Sequence, residues 1–266
     1  MKKLNILLTN DDGIRSPGLW AAAGALSDLG YVTVAAPREQ SSGMGRSLPN
    51  TSDGIITEEK LLVNSQEWTV YAVGGSPAQA VLHGVLEVMP VKPDLVVSGI
   101  NYGENLGVGV TVSGTVGAAM EAAGMGYPAL AMSLEAHHRY HLSYSEEIDF
   151  SAAAHFTAYF ARLLLEKGPF AGVDLLKVDV PREATIDTPW QITRLARKGY
   201  YEPLKPERLS WSEPGTVGYR AAAALDDAAD SDVNVVRRRG LVSVTPLTLD
   251  MTARVDLENF DGLLRG

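Results

Sequence analysis

Short apolar runs that stop at turn-forming residues constrain the fold of this chain more than any other feature. Residues 4–8, 31–36, 70–73, 94–98, 129–133 and 175–180 are each long enough for a buried strand and too short for a helix. Between them lie segments of helical period. Leu19, Ala22, Ala23, Leu26 and Leu29 form one apolar stripe, closed by Gly30. A second helix opens at 74–79 and runs to about Val88, a third is rich in small residues (Ala118, Ala119, Ala122, Ala123), and 145–167 reads as a long fourth. Strand and helix alternating in this way predict an α/β protein with a doubly wound, mostly parallel sheet. After Pro181 the rhythm changes: 191–196 is strand-like, 203–214 loop-rich, 225–232 acidic, and 241–247 a last strand. The expected division is a core at 1–185 and a β-rich C-terminal extension at 186–266. The extension packs on the core or on a neighbouring subunit and is not an independent domain. Residues 53–67 read as a peripheral excursion.

The first run delivers the most distinctive chemistry. It ends in Asn10, Asp11, Asp12 and Gly13, and the chain restarts as a helix at Ser16-Pro17, where serine suits the N-cap and proline the first helical position. Two carboxylates and an amide therefore stand at the carboxyl end of a strand, the edge where open α/β sheets bind ligands. Asn-Asp-Asp-Gly is also ordinary turn chemistry. Adjacent like charges repel, however, and a hard divalent cation between them resolves the conflict, so a metal site is favoured. Asn101, just past the 94–98 run, reaches the same edge and can offer a neutral oxygen. The polar loop at 37–47 leaves it too, and there Ser41 and Ser42 are equivalent on local grounds.

Composition narrows the classes. No cysteine is present among 266 residues, which excludes disulfides and thiolate metal sites and makes a cytoplasmic location the expectation. The net charge of −9 opposes binding along a nucleic-acid polymer. No apolar stretch approaches the ~18 residues of a membrane span, and the run after Met-Lys-Lys meets Asp11 too early for a signal peptide. A small anionic substrate remains compatible where a metal or a helix terminus supplies positive potential.

Other motifs compete for attention. Gly74-Gly75-Ser76-Pro77-Ala78 between strand and helix is close to a nucleophile elbow, as in a serine esterase. That elbow needs the N–H of the following residue, and Pro77 has none; Ser76 with Gln79 reads better as a capping box. Residues 109–115 (G-V-T-V-S-G-T) lack the lysine of a Walker loop. Ser113, Gly114 and Thr115 at a helix start suit either a single phosphate or ordinary capping. His137, His138 and His141 have zinc-like spacing only on a well-formed helix. Arg237-Arg238-Arg239 reads as a solvated or intersubunit face offsetting the acidic 226–232 run.

Taken together, T-N-D-D-G at 9–13, A-P with S-G at 36–43, S-G-I-N-Y-G-E-N-L-G at 98–107, S-G-T-V-G-A-A-M-E at 113–121, P-A-L-A-M-S at 128–133 and V-S-V-T-P-L at 242–247 resemble the SurE family of metal-dependent nucleoside-monophosphate phosphatases. The resemblance implies a Rossmann-like core and one divalent metal, Mg²⁺ or Mn²⁺, held by Asp11, Asp12, Ser42 and Asn101. It implies phosphate contacts from Ser113, Gly114 and Thr115, with substrate contact from Asn101 as well, and C-terminal segments that pair subunits into homodimers or homotetramers. The implied reaction is hydrolysis of nucleoside 5′- or 3′-monophosphates, with Asp11 or Asp12 orienting the attacking water or, alternatively, attacking directly. The chain departs from the usual family pattern at Gln79, where an acid is common, and at Pro49, Gly109 and Val112. Those departures leave a rival open, a nucleotide-binding module without turnover, beside the serine esterase built on Ser76.

Overall fold

The computed structural model describes residues 4–63, 65–136, 148–197, 199–221 and 228–266. Strands β1 (Leu4–Thr9), β2 (Gly30–Pro37), β3 (Ile56–Val63), β4 (Gln66–Val73), β5 (Leu95–Tyr102), β6 (Ala129–Leu134) and β7 (Leu175–Val180) alternate with helices α1 (Pro17–Leu26), α2 (Pro77–His83), α3 (Gly114–Gly124) and α4 (Ser151–Lys167). Beyond them come β8 (Trp190–Ile192), β9 (Tyr201–Leu204), β10 (Gly218–Ala221), β11 (Val242–Leu247) and α5 (Leu257–Arg265). One sheet runs β3-β4-β2-β1-β5-β6-β7-β11-β8, and β9 pairs with β10 in a separate ribbon. The pairings from β4 through β7 are all parallel, while β3 on β4 and β11 on β7 are antiparallel. The architecture is the expected doubly wound α/β sheet, mostly parallel.

Strand alternation divides the core. Ile6 and Leu8 face a cluster with Leu19, Leu26, Phe156 and Phe160 from α1 and α4. Leu7 faces the other way, into Val81, Val116, Ala118 and Ala122 from α2 and α3. Because both faces of β1 are covered, its sequence is continuously apolar. The small residues of α3 let it lie close to the sheet, and the chain just past α2 approaches closely as well: a Cβ on Gly84 would meet Leu7 Cδ1 at 2.8 Å.

Several local expectations are revised. The 53–67 excursion contains β3, a full edge strand whose charged residues concealed it. The helix opening at Pro77 ends at His83 and continues as one π-helical turn, Gly84–Val88. Ser16 occupies the N-cap of α1 but makes no capping bond, and its hydroxyl is buried without a partner. Arg237 pairs with Glu135 and Arg239 bonds Gln191, while part of the acidic stretch that this basic run is expected to offset, 226–227, lies outside the described residues. The extension's β11 and β8 belong to the main sheet, whereas α5 buries none of its residues. No described helix is long and apolar enough to cross a membrane.

Candidate active site

The turn after β1 is closed by Asn10, whose Nδ2 donates to the Gly13 carbonyl at 3.0 Å and whose Oδ1 accepts from the Gly13 N–H at 3.2 Å. Gly13 adopts φ 97°, a conformation that favours glycine. Asn10 thus fulfils the plain turn role, and the turn it makes presents the two aspartates. Both are almost wholly buried, Asp11 at 4% exposure and Asp12 at 2%.

Neutral donors surround them. Thr115 Oγ1 donates to Asp11 Oδ1 at 2.5 Å, and the Asp11 carboxylate also accepts from the Gly114 and Thr115 N–H groups at the start of α3. Asp12 Oδ2 accepts from the Tyr102 N–H at 3.0 Å, and its Oδ1 from Gln40 Nε2 at 3.4 Å. Burial pushes the Asp11 carboxyl up to about 6, against the hydrogen bonds that lower it. Asp12 is also raised, first by burial and then by the charge of Asp11. Holding two like charges this far from water is costly.

The other expected residues converge on this edge. Asn101 lies near the end of β5, one residue before the Tyr102 N–H that reaches Asp12, and its Nδ2 donates to the Gly103 carbonyl at 2.6 Å. Ser42 is exposed, next to Ser41, whose N–H donates to the Asp11 carbonyl at 2.7 Å. The two carboxylates and the Asn101 amide thus belong to one edge, and Ser42 adjoins it in the loop anchored by Ser41. Among the described residues no group of three His, Asp, Glu or Cys offers an alternative cage. An oxygen-only set with a buried, repelling pair suits a hard divalent cation. His137, His138 and His141 lie outside the described residues.

Ser113 caps α3, its Oγ accepting from the Val116 N–H at 3.1 Å. Gly114 has no room for a side chain: a Cβ would stand 2.7 Å from Asp11 Cβ and 2.8 Å from Oδ2. The helix N-terminus is consequently pressed against Asp11, with Thr115 of its first turn buried and bonded to that carboxylate. Sequence reasoning missed Gln40 and the Tyr102 N–H as partners of Asp12. The signal for the first was a long amide side chain in the polar loop leaving the same edge.

Ser76 is occupied as a cap. Its Oγ accepts from the Gln79 N–H at 3.1 Å and donates to the Ser47 carbonyl at 2.6 Å, while Gln79 Oε1 accepts from the Ser76 N–H. Gln79 also bonds Ser52 and the Pro49 carbonyl, tying down the neighbouring loop. An amide donates and accepts at once, which accounts for glutamine at this departure from the family pattern. Ser76→Ala is expected to cost about 1 kcal/mol of stability, as the loss of a cap does, while phosphate release stays at the wild-type level. Loss of activity in a folded Ser76→Ala protein would instead favour the esterase.

Fold and edge together define a doubly wound α/β protein with a buried acidic pair beside a helix N-terminus at the carboxyl end of its parallel strands. The family model described as survival protein SurE matches residues 6–202, and the chain belongs to that family. A protein of Thermococcus gammatolerans named 5′-nucleotidase SurE is 43% identical over 265 residues, covering 99% of this chain and 97% of the relative. One of Archaeoglobus fulgidus with the same name is 41% identical over 264 residues, covering 99% and 98%. The crystal structure of the SurE protein from Aquifex aeolicus superposes with a TM-score of 0.75 at 32% identity, over 98% of this chain and 99% of that one.

Proposed function

We propose that the protein is a divalent-metal-dependent phosphomonoesterase that hydrolyses nucleoside 5′-monophosphates, with 3′-monophosphates as a second substrate position. The observation that carries this reading is the pair of buried carboxylates, both raised by burial and Asp12 also by the charge of Asp11, with Asp11 set against the N-terminus of α3. The names of the relatives support the reaction class.

In this reading Asp11, Asp12, Ser42 and Asn101 hold Mg²⁺ or Mn²⁺, which when bound supplies positive charge to the phosphate oxygens and acidity to a water. Ser113, Gly114 and Thr115 receive the phosphoryl group at the α3 N-terminus, where backbone donors stabilise developing charge. Asp12 orients the attacking water and takes its proton. Asp11 is less suited to that role, because the 2.5 Å bond from Thr115 and the helix N–H groups stabilise its ionised form. Residues 1–185 carry the chemistry. The extension, with its wholly exposed α5 and the solvent-facing Leu209 and Trp211, serves assembly into a homodimer or homotetramer. A cytoplasmic location accords with the absence of cysteine.

The deciding experiment is phosphate release from a panel of nucleoside monophosphates with Mn²⁺, with Mg²⁺ and with EDTA. Metal-dependent release supports the reading. Nucleotide binding without release from folded, metal-loaded protein supports the binding module instead.

Metal and proton compete for the same carboxylates, which fixes a pH dependence. In the metal-free fold Asp11 titrates near 6 rather than 3.8, so its contribution to stability declines as pH rises through that interval. Binding of a cation offsets this loss. Mn²⁺ is accordingly expected to raise Tm more at pH 8 than at pH 5 in thermal scans. An equal or smaller rise at pH 8 contradicts the site.

A further inference from the structure

The loop from Asn101 to Ser113 links the residue assigned to the cation with those assigned to the phosphate, and its first half is gripped by the C-terminal extension. Glu104 Oε1 accepts from Tyr200 Oη at 2.6 Å, and the Glu104 carbonyl accepts from Tyr201 Oη at 3.0 Å. Leu106 has no exposure and sits in a small cluster whose other buried members, Ala196, Tyr200, Val233 and Val236, all lie beyond residue 185. The Gly107 N–H donates to Asp232 Oδ2 at 2.9 Å.

Beneath this contact lies a charged network with no exposure at all. Lys177 Nζ donates to Asp179 Oδ2 at 2.5 Å and to Asp232 Oδ2 at 2.9 Å, joining a central strand to the extension. Bonds not spent inside the network go largely to the same loop: Lys177 Nζ to the Asn105 carbonyl at 2.8 Å, and the Asn105 N–H to Asp179 Oδ1 at 2.8 Å. On the extension's side, Asp232 Oδ1 accepts from the Ala196 and Val233 N–H groups, both at 2.9 Å. A buried ion network is weak evidence of stabilisation by itself, since apolar replacements often serve as well. Its directional bonds do fix geometry, and here they fix the backbone at 105 and 107. From Gly107 a single 3₁₀ turn, Gly107–Thr111, leads to Ser113 and the start of α3.

We infer that the extension is a clamp on the 104–107 loop, with Tyr200 and Asp232 as positioning residues that set the N-terminus of α3 relative to Asp11. This rests on the reading of that terminus as the phosphate site. The cation half of the edge has further holds of its own, through β1, Gln40 and the Tyr102 N–H, beside the Thr115 bond to Asp11. Loosening the clamp therefore acts on the phosphate more than on the metal.

The test uses the full chain carrying Tyr200→Phe or, separately, Asp232→Asn, both close to isosteric. Five quantities are measured: kcat and KM for a nucleoside monophosphate with Mn²⁺, binding of inorganic phosphate, Mn²⁺ affinity by calorimetry, and deuterium exchange of the 103–113 segment. The expected result is a fall in kcat of about 10-fold or more, in the range that supporting partners of a site command. Phosphate binding weakens and exchange at 103–113 quickens, while Mn²⁺ affinity changes much less than kcat. A lower Tm with unchanged kcat, phosphate affinity and 103–113 exchange overturns the clamp and leaves a structural role only. A loss of Mn²⁺ affinity in step with kcat overturns it as well. If wild-type protein releases no phosphate, the phosphatase reading fails; phosphate binding and exchange then still decide the clamp.

Discussion

Asp12→Asn is expected to reduce phosphate release by more than about 10²-fold with either Mn²⁺ or Mg²⁺, exceeding the ~10–100-fold typical of groups that only support a metal ligand. Asparagine keeps the shape, and its Oδ1 can still accept from the Tyr102 N–H, so the turn presenting Asp11 is preserved. One negative charge is removed from the edge, along with the base. The same change relieves a repulsion, because the charge of Asp11 is the second cause of the raised Asp12 carboxyl. Metal-free Asp12→Asn should thus unfold at the wild-type temperature or above, while Mn²⁺ no longer raises Tm as it does in wild type. Activity lost with stability kept or gained is the signature of a site that trades stability for function. Release that survives both EDTA and this substitution would sink the metal mechanism.

A loss of comparable size, in stability, is expected at Lys177. Burial by itself lowers a lysine, yet the flanking Asp179 and Asp232 carboxylates hold this ammonium above its ordinary range. Lys177→Met leaves two carboxylates facing one another with no exposure and no cation. Breaking a buried network by removing one partner costs about 3–5 kcal/mol, and at roughly 2–4 °C per kcal/mol the expected fall in Tm is about 6–20 °C. A second variant, Lys177→Met with Asp179→Asn, removes one of the stranded charges and should recover part of the fall. Thermal unfolding by circular dichroism checks both. A Tm within about 2 °C of wild type for the single variant would show that the stranded carboxylates find other compensation.

These two sites differ in how well the sequence disclosed them. Asp11 and Asp12 stand where an apolar run breaks into adjacent like charges, a pattern with few physical explanations, and the neighbouring motifs carried the family resemblance. Lys177 and Asp179 lay inside L-L-K-V-D-V, which reads as a strand because of its apolar residues. The cue was present: charges two apart on a strand share a face, and a strand buried on both sides tolerates them only with partners. What that run could not show was the partner, Asp232, 53 residues beyond Asp179 and at the end of the acidic stretch. The same limit applies to sheet order. The parallel centre follows from strand–helix alternation, while the edge strand β3 is masked by Thr57, Glu58, Glu59 and Lys60. The insertion of β11 between β7 and β8 depends on contacts that no local pattern encodes. Ser16 failed for a related reason, since residue type suits a cap but the approach of neighbouring chain decides whether the bond forms.

That insertion has a consequence for the order of assembly. In the sheet β8 touches only β11, which is made some fifty residues later, so the edge of β7 stays open until residues 242–247 have left the ribosome. A nascent chain can wind the parallel core from β1 to β7 early, since each strand there finds its neighbour among segments already made. An open, apolar β7 edge is a template for pairing with other chains in the interval. Asp179 and Lys177 point from that same strand, and until Asp232 arrives they are a charged pair on an unfinished rim, a feature that discourages premature association. Tyr200 and Asp232, which hold the 104–107 loop, and β11, which completes the rim, all follow β7 in the chain, so both contacts form only after the parallel core is made.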